Sequence, residues 1–374
     1  FKLQFAWIVI GIVIVALVIV FVVTKIKKES EEIKIGHIAP FTGDGAIWGE
    51  WLKDGIDIAV EEINTKGGIK GKRLIVIHED SQVKPEIGVS ALQKLITIDK
   101  VLAVIGAVGS SVSLACAPIA EKNHIVLLSP GSAANKISYA GDYIFRIFPS
   151  NNQEAQRLVE VAKKLEIKKA VILFINNDYG AELSMVVKTK FEEEEGRILL
   201  IEGYEAEATD FRTQLTKAKD QNPEAIFLLG YPKDMSLILR QAKEMGLKTQ
   251  FLAPDTFNAP EILEWAGDAA EGVIYVYPAL FKSDRLTTFA ETLKKYGKEP
   301  NLLNTMGYDA LHLIALAIEK GGVKKERIKE ALYEIKDFPG VTGEITFDKN
   351  GDVVYRPIGV RIVKEGKFVD YLME

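Results

Sequence analysis

A single cysteine, Cys116, leaves no intrachain disulfide to staple the chain and no reading of the redox compartment. It falls on an apolar helix face, which suits a core position better than a nucleophile. Histidine is scarce as well. His37, His78, His124 and His312 are scattered, no pair has the H-E-x-x-H spacing of a metal site, and no G-x-S-x-G elbow is present. These absences supply no catalytic residue, no metal and no cofactor, so the chain does not read as an enzyme. Basic residues are not in excess either: 47 Lys and Arg stand against 52 Asp and Glu, a net charge of -5, which argues against nucleic acid. Only 13 prolines interrupt a chain that is 48% hydrophobic, so its 374 residues can bury substantial cores, enough for about two domains.

Long apolar runs are absent except for one. Phe5 to Val23 holds no charged residue, and its 19 residues would make a helix of about 28 Å, close to the roughly 30 Å hydrocarbon core of a bilayer. The run ends Phe-Val-Val-Thr-Lys, without the small-residue cleavage site of a signal peptide and with no cysteine for lipid attachment. Residues 1–28 are therefore expected to form an uncleaved membrane anchor, with everything after them on one side of the membrane. Lys25, Lys27 and Lys28 would by themselves hold that side in the cytoplasm, and the acidic residues that follow count for little in that rule. Charge alone does not orient the chain.

From Ile33 onward, short apolar runs alternate with amphipathic segments. Strands are expected at 33–39, 74–78, 101–105 and 125–128, with helices at 48–66, from Pro85, and at 111–122. Leu52, Ile56, Ala59, Val60 and Ile63 share one face of the first helix, and Gly67-Gly68 ends it. The pattern restarts with helices at 153–165, 179–194 and 211–219 and strands at 170–175, 198–203 and 225–229. Such alternation means crossover units and a parallel sheet with helices on both faces, here twice over: an α/β chain of two Rossmann-like lobes. Three further strands are expected at 343–347, 358–363 and 368–372. The acidic run Glu192 to Glu195 reads as a solvated helix end.

In an open α/β sheet, ligands bind at the loops that follow the strands. The segment Ile105-Gly106-Ala107-Val108-Gly109-Ser110-Ser111 joins a strand to a helix. Its glycines let backbone N–H groups approach a ligand, and Ser110 and Ser111 can cap the helix and donate hydrogen bonds to an anion such as a carboxylate. It lacks the lysine of a P-loop and the third glycine of a dinucleotide fingerprint. A capped tight turn is the plain alternative. Ser129-Pro130-Gly131-Ser132-Ala133-Ala134-Asn135 offers a second loop of small residues. In the other lobe Asn177-Asp178-Tyr179-Gly180, Gly230-Tyr231-Pro232 and Ala253-Pro254-Asp255-Thr256 each follow a strand. A carboxylate such as Asp255 suits a ligand ammonium, and the tyrosines offer ring faces and hydroxyls.

These loops lie among other stretches in a recognisable order: Ala39-Pro40-Phe41-Thr42-Gly43, Glu61-Glu62-Ile63-Asn64, Lys66-Gly67-Gly68-Ile69-Lys70-Gly71, Phe145-Arg146 and Gly267-Asp268-Ala269-Ala270-Glu271-Gly272. Taken together they resemble the Leu/Ile/Val-binding protein family, the type 1 periplasmic binding proteins of branched-chain amino acid ABC transporters. The resemblance covers nearly the whole chain after the anchor. It implies two lobes joined by a three-crossing hinge, one made of 33–149 plus 278–348 and the other of 150–277 plus 349–374.

The resemblance also implies roles. Trp48 would line the cleft, Ser110 and the backbone near Ser132 would hold a carboxylate, Tyr179 and Tyr231 would close from the second lobe, and Asp255 would receive an α-ammonium. Ala133 stands where such binders carry threonine, and Asn151 where they often carry aspartate. One lost hydroxyl donor costs roughly 0.5–1.5 kcal/mol, which is survivable. The expected function is an extracytoplasmic amino-acid receptor of an ABC importer, tethered to the cell membrane by a single pass and serving a permease with ATPase subunits. An amide, a sugar or an aromatic acid as ligand, and a sensor role for the same fold, stay open.

Overall fold

The computed structural model of the protein describes residues 32–371 apart from residues 44, 281 and 355, so the expected anchor at 1–28 lies outside the described residues. Among the described residues no helix is long and apolar enough to cross a membrane.

Five strands, β1 (Glu32–Ala39), β2 (Arg73–Asp80), β3 (Ala103–Ile105), β4 (Val126–Ser129) and β5 (Ile144–Arg146), form a parallel sheet in the order β2-β1-β3-β4-β5. Side chains alternate across it. Ala103 and Ile105 of β3 join the core under the long helices Ala46–Thr65 and Leu302–Gly321, while Val104 joins the core under helices Pro85–Lys94 and Ser110–Lys122. Burial on both faces is why these strands appear as unbroken apolar runs. The strand order reverses between β1 and β3, which opens a crevice at the ends of those strands.

The second sheet begins with β6 (Lys169–Ile175), β7 (Arg197–Tyr204), β8 (Ala225–Leu229), β9 (Gln250–Ala253) and β10 (Ile274–Pro278), all parallel. After β10 the chain returns to the first sheet through helices. It makes a small hairpin from β11 (Phe338–Gly340) and β12 (Gly343–Ile345), then comes back as antiparallel β13 (Ile358–Lys364) and β14 (Lys367–Asp370). The resulting order is β14-β13-β10-β9-β8-β6-β7, with a second reversal between β6 and β8. The protein is thus two α/β lobes, and the chain passes between them three times: after β5, after β10 and before β13.

The helix Leu302–Gly321 is held against Ala46–Thr65 by an unusually close backbone approach. A Cβ on Gly55 would stand 1.8 Å from the Asn304 carbonyl oxygen, and one on Gly307 would stand 2.4 Å from that of Leu52. Glycine at both points removes the side chain that would separate the helices. This contact carries Asn301, Leu302 and Leu303 to the mouth of the first crevice, beside Trp48 and Trp51.

Candidate functional site

The two crevices face each other and enclose a cavity of about 90 Å3. A single water needs roughly 10–15 Å3 on the same measure, so the space suits an occupant of amino-acid size rather than a dinucleotide.

The polar part of the first-lobe wall is made largely of backbone. Gly109, at φ +91°, occupies the left-handed region that favours glycine and precedes helix Ser110–Lys122, which has no side-chain cap. Its first N–H groups therefore have no intrahelical partner, and Gly109 and Ser110 at this helix end line the cavity, an arrangement that suits an anion. The loops after β3 and β4 are zipped together by the Gly109 N–H donating to the Gly131 carbonyl at 2.9 Å. The hydroxyls of Ser113, Ser129 and Ser132 converge on the Ala107 carbonyl, at 3.1, 2.7 and 3.1 Å. Ser110 lines the cavity; its oxygen accepts the Ala134 N–H at 3.1 Å, and its hydroxyl proton remains available to a ligand. Trp48, Trp51, Val108, Leu302 and Leu303 supply the apolar side.

The second-lobe wall is made of side chains. Tyr179 opens helix Asp178–Glu193 behind an Asn177 cap, whose side chain accepts the Gly180 N–H at 2.9 Å. Tyr231 precedes helix Pro232–Glu244. Their rings stack at 5.9 Å, and Trp48 reaches across to meet Tyr231 edge-on at 5.1 Å. Burial pushes both phenol groups up, so both stay neutral donors. Tyr231 is held from behind by Asp234, which accepts its N–H at 3.0 Å and also accepts the Tyr204 hydroxyl. Burial raises the Asp234 carboxyl to about 6.

Asp255 follows β9 and begins a short 3-10 turn. Asp255 lines the cavity, and its Oδ1 is buried without a hydrogen-bond partner. An unpaired buried acceptor is costly, and a carboxylate at the cavity wall suits a ligand ammonium. The site is thus dipolar, with N–H donors at one end and a carboxylate at the other.

Six of the residues singled out from the sequence meet at the cavity: Trp48, Ser110, Ala133, Tyr179, Tyr231 and Asp255. Three do not line it. Ser111 faces the groove beyond the Trp48–Tyr231 pair and accepts the Asp178 N–H at 3.2 Å, tying one lobe to the other rather than capping its helix. The Ser132 hydroxyl points inward to Ala107, leaving its neighbours Gly131 and Ala133 on the cavity wall. Asn151 is buried at the first crossing. It donates to Glu182 at 3.1 Å, and Glu182 in turn accepts the N–H groups of Asn135 and Lys136 across the cleft.

Trp51, Phe148, Leu302 and Leu303 also line the cavity. Trp51 lies one helical turn from Trp48, a spacing that could have signalled it. Leu302 and Leu303 arrive through tertiary packing and leave no local sign.

A family model described as periplasmic binding protein matches residues 32–367. The chain belongs to the periplasmic binding protein family. Its relatives include the leucine-, isoleucine-, valine-, threonine-, and alanine-binding protein of Pseudomonas aeruginosa, 30% identical over 329 residues, or 87% of this chain and 88% of that one. A crystal structure of a leucine binding protein from Thermotoga maritima is 32% identical, with a TM-score of 0.85 over 91% of this chain and 98% of the other. A branched-chain amino acid transporter substrate binding protein from Streptococcus pneumoniae, solved with isoleucine, is 30% identical, with a TM-score of 0.82 over 90% and 97%. These relatives put this periplasmic binding protein in the Leu/Ile/Val-binding group, as its motifs imply. Among the described residues, no group of three His, Cys, Asp or Glu is placed to hold a metal ion.

Proposed function

We propose that the chain is the receptor of an ABC importer and captures an α-amino acid, branched-chain or similar, between its closing lobes. One observation carries the reading: an uncapped helix N-terminus with Ser110 and the carboxylate residue Asp255 both line one amino-acid-sized cavity, each from a different lobe. A ligand carboxylate would take the first and its ammonium the second, with an aliphatic side chain against Trp48, Trp51, Leu302 and Leu303. The names of the relatives support the same ligand class.

The mechanism we infer is a hinge closure. The lobes divide at 149/150, 277/278 and 348/349, and the contacts of Ser111 and Glu182 across the cleft belong to the closed state. Ligand that bridges both walls stabilises that state by its differential affinity for it. The receptor then serves a permease and ATPase subunits, and residues 1–28 hold it by a single pass at the outer face of the cell membrane. No catalytic role is assigned.

Calorimetric titration with leucine, isoleucine, valine, threonine and alanine tests this, alongside an amide, a sugar and an aromatic acid. Saturable heat with an amino acid, abolished in Asp255→Ala, is the expected result. Heat only with another class moves the function to that solute. Silence across all of them overturns the reading in favour of sensing or partner binding.

A further inference from the structure

Behind Asp255 lies a second carboxyl group that the amino-acid reading does not use. Glu154, on the first turn of helix Asn151–Lys164, is 3% exposed, and its Oε1 accepts the Asp255 N–H at 2.7 Å. The two carboxyl groups face each other within hydrogen-bonding reach. Neither has an ion pair among the described residues, and Asp255 Oδ1 still lacks a donor. The pair sits where the three chain passages meet: Phe148 and Pro149 from the first, Pro278 from the second and Ile358 from the third enclose a void of about 10 Å3 beside it. That space holds about one water at most, so solvent cannot screen two adjacent negative charges there.

The other titratable group facing Glu154 is Tyr179, whose hydroxyl stands 3.5 Å from Oε2, at the limit of a hydrogen bond. β10 and β13 contribute only Pro278 and Ile358 to this void. Two like charges in a dry site do not both ionise. Burial, and then the charge of Asp255, pushes the Glu154 carboxyl well above the usual carboxylate range. One proton shared between the groups would give Asp255 Oδ1 the donor it lacks.

We propose that Glu154 is a positioning residue of the ammonium site. At neutral pH it keeps its proton, accepts the Asp255 N–H through Oε1 and donates through its O–H to the Asp255 carboxylate. The pair then carries one negative charge, matched to one ammonium group, and the aspartate is oriented before any ligand arrives. The role of the ammonium rests on the amino-acid reading; the shared proton does not.

Infrared difference spectra of the ligand-free protein against Glu154→Gln test the proton directly. The expected result is a carboxylic acid carbonyl band at neutral pH that the variant loses, and no such band overturns the proposal. Titration with leucine then tests the positioning. Glu154→Leu, which removes both bonds, is expected to weaken binding about tenfold. Glu154→Gln, which keeps an acceptor and a donor, is expected to restore it to within about threefold, whereas Asp255→Asn loses 100-fold or more. A loss in Glu154→Gln as large as in Asp255→Asn would make Glu154 a second working charge and overturn the proposal, as would wild-type binding by Glu154→Leu. If the wild type ignores every amino acid, the functional reading fails while the infrared band still decides this one.

Discussion

The first-lobe wall of the cleft offers its occupant N–H groups and small residues beside an apolar bed of Trp48, Trp51, Leu302 and Leu303, and the second-lobe wall offers tyrosine rings and carboxyl groups. On the first side the geometry is set by the end of helix Ser110–Lys122 and by hydrogen bonds within loops. On the second side it is set by Tyr179, Tyr231 and Asp255, each held from behind by a neighbour. A wall of backbone is not erased by any one substitution and hardly titrates. A wall of side chains can be dismantled residue by residue, and here it gathers raised carboxyl groups in Asp234, Glu154 and Asp255. Loss of affinity and sensitivity to pH should therefore concentrate on the second lobe.

Asp255→Ala should show the largest effect. Removing one partner of a buried charge pair costs about 2–5 kcal/mol, or about 30-fold to several thousand-fold in affinity, as read by calorimetry with an amino acid. Tyr231→Ala comes next, because its ring contacts both Trp48 and Tyr179. At about 0.5–1.5 kcal/mol per ring pair, the affinity should fall about 10- to 100-fold.

Asp234→Asn tests the pH contrast. The folded carboxyl titrates near 6 and an ordinary aspartate near 3.8, so between those values the folded state binds the extra proton. Stability attributable to this group therefore rises as pH falls from 7 to 4. Denaturation of wild type and variant should show their difference shift by about 2 kcal/mol in favour of the wild type over that range. A constant difference would mean that Asp234 does not titrate there.

Ser110→Ala is expected to cost about 0.5–1.5 kcal/mol in binding, since the helix N–H groups remain. Ser111→Ala should change affinity by no more than about threefold, because water can replace its contact at the cleft edge. If Ser110→Ala proved as damaging as Asp255→Ala, the contrast between the walls would be wrong.

The alternation of strands and helices is legible in the sequence because parallel strands buried on both faces make continuous apolar runs, β8 being wholly buried. Ile144–Arg146, Gln250–Ala253 and Ile274–Pro278 are harder to read, since three to five residues carry too little periodicity. The loop at 105–111 and the turn at Asp255 are visible as positions after strands. The direction of a side chain is not. Ser111 lies about 100° around the helix from Ser110, which turns it from the cavity to the groove. Ser132 is flanked by two residues of the cavity wall and itself faces the core. Glu154 gives no sign in the sequence, because its importance comes from a loop 101 residues away.

The close approach at Gly55 and Gly307 has a kinetic consequence. Because the two helices cannot slide apart without separating their backbones, Leu302 and Leu303 travel with Trp48 and Trp51 as one body. On the hinge-closure reading, the open receptor would already display its apolar bed and the helix end, and a ligand would land there before the second lobe arrives. The rate of capture would then belong to the first lobe, and residence time to Tyr179, Tyr231 and Asp255.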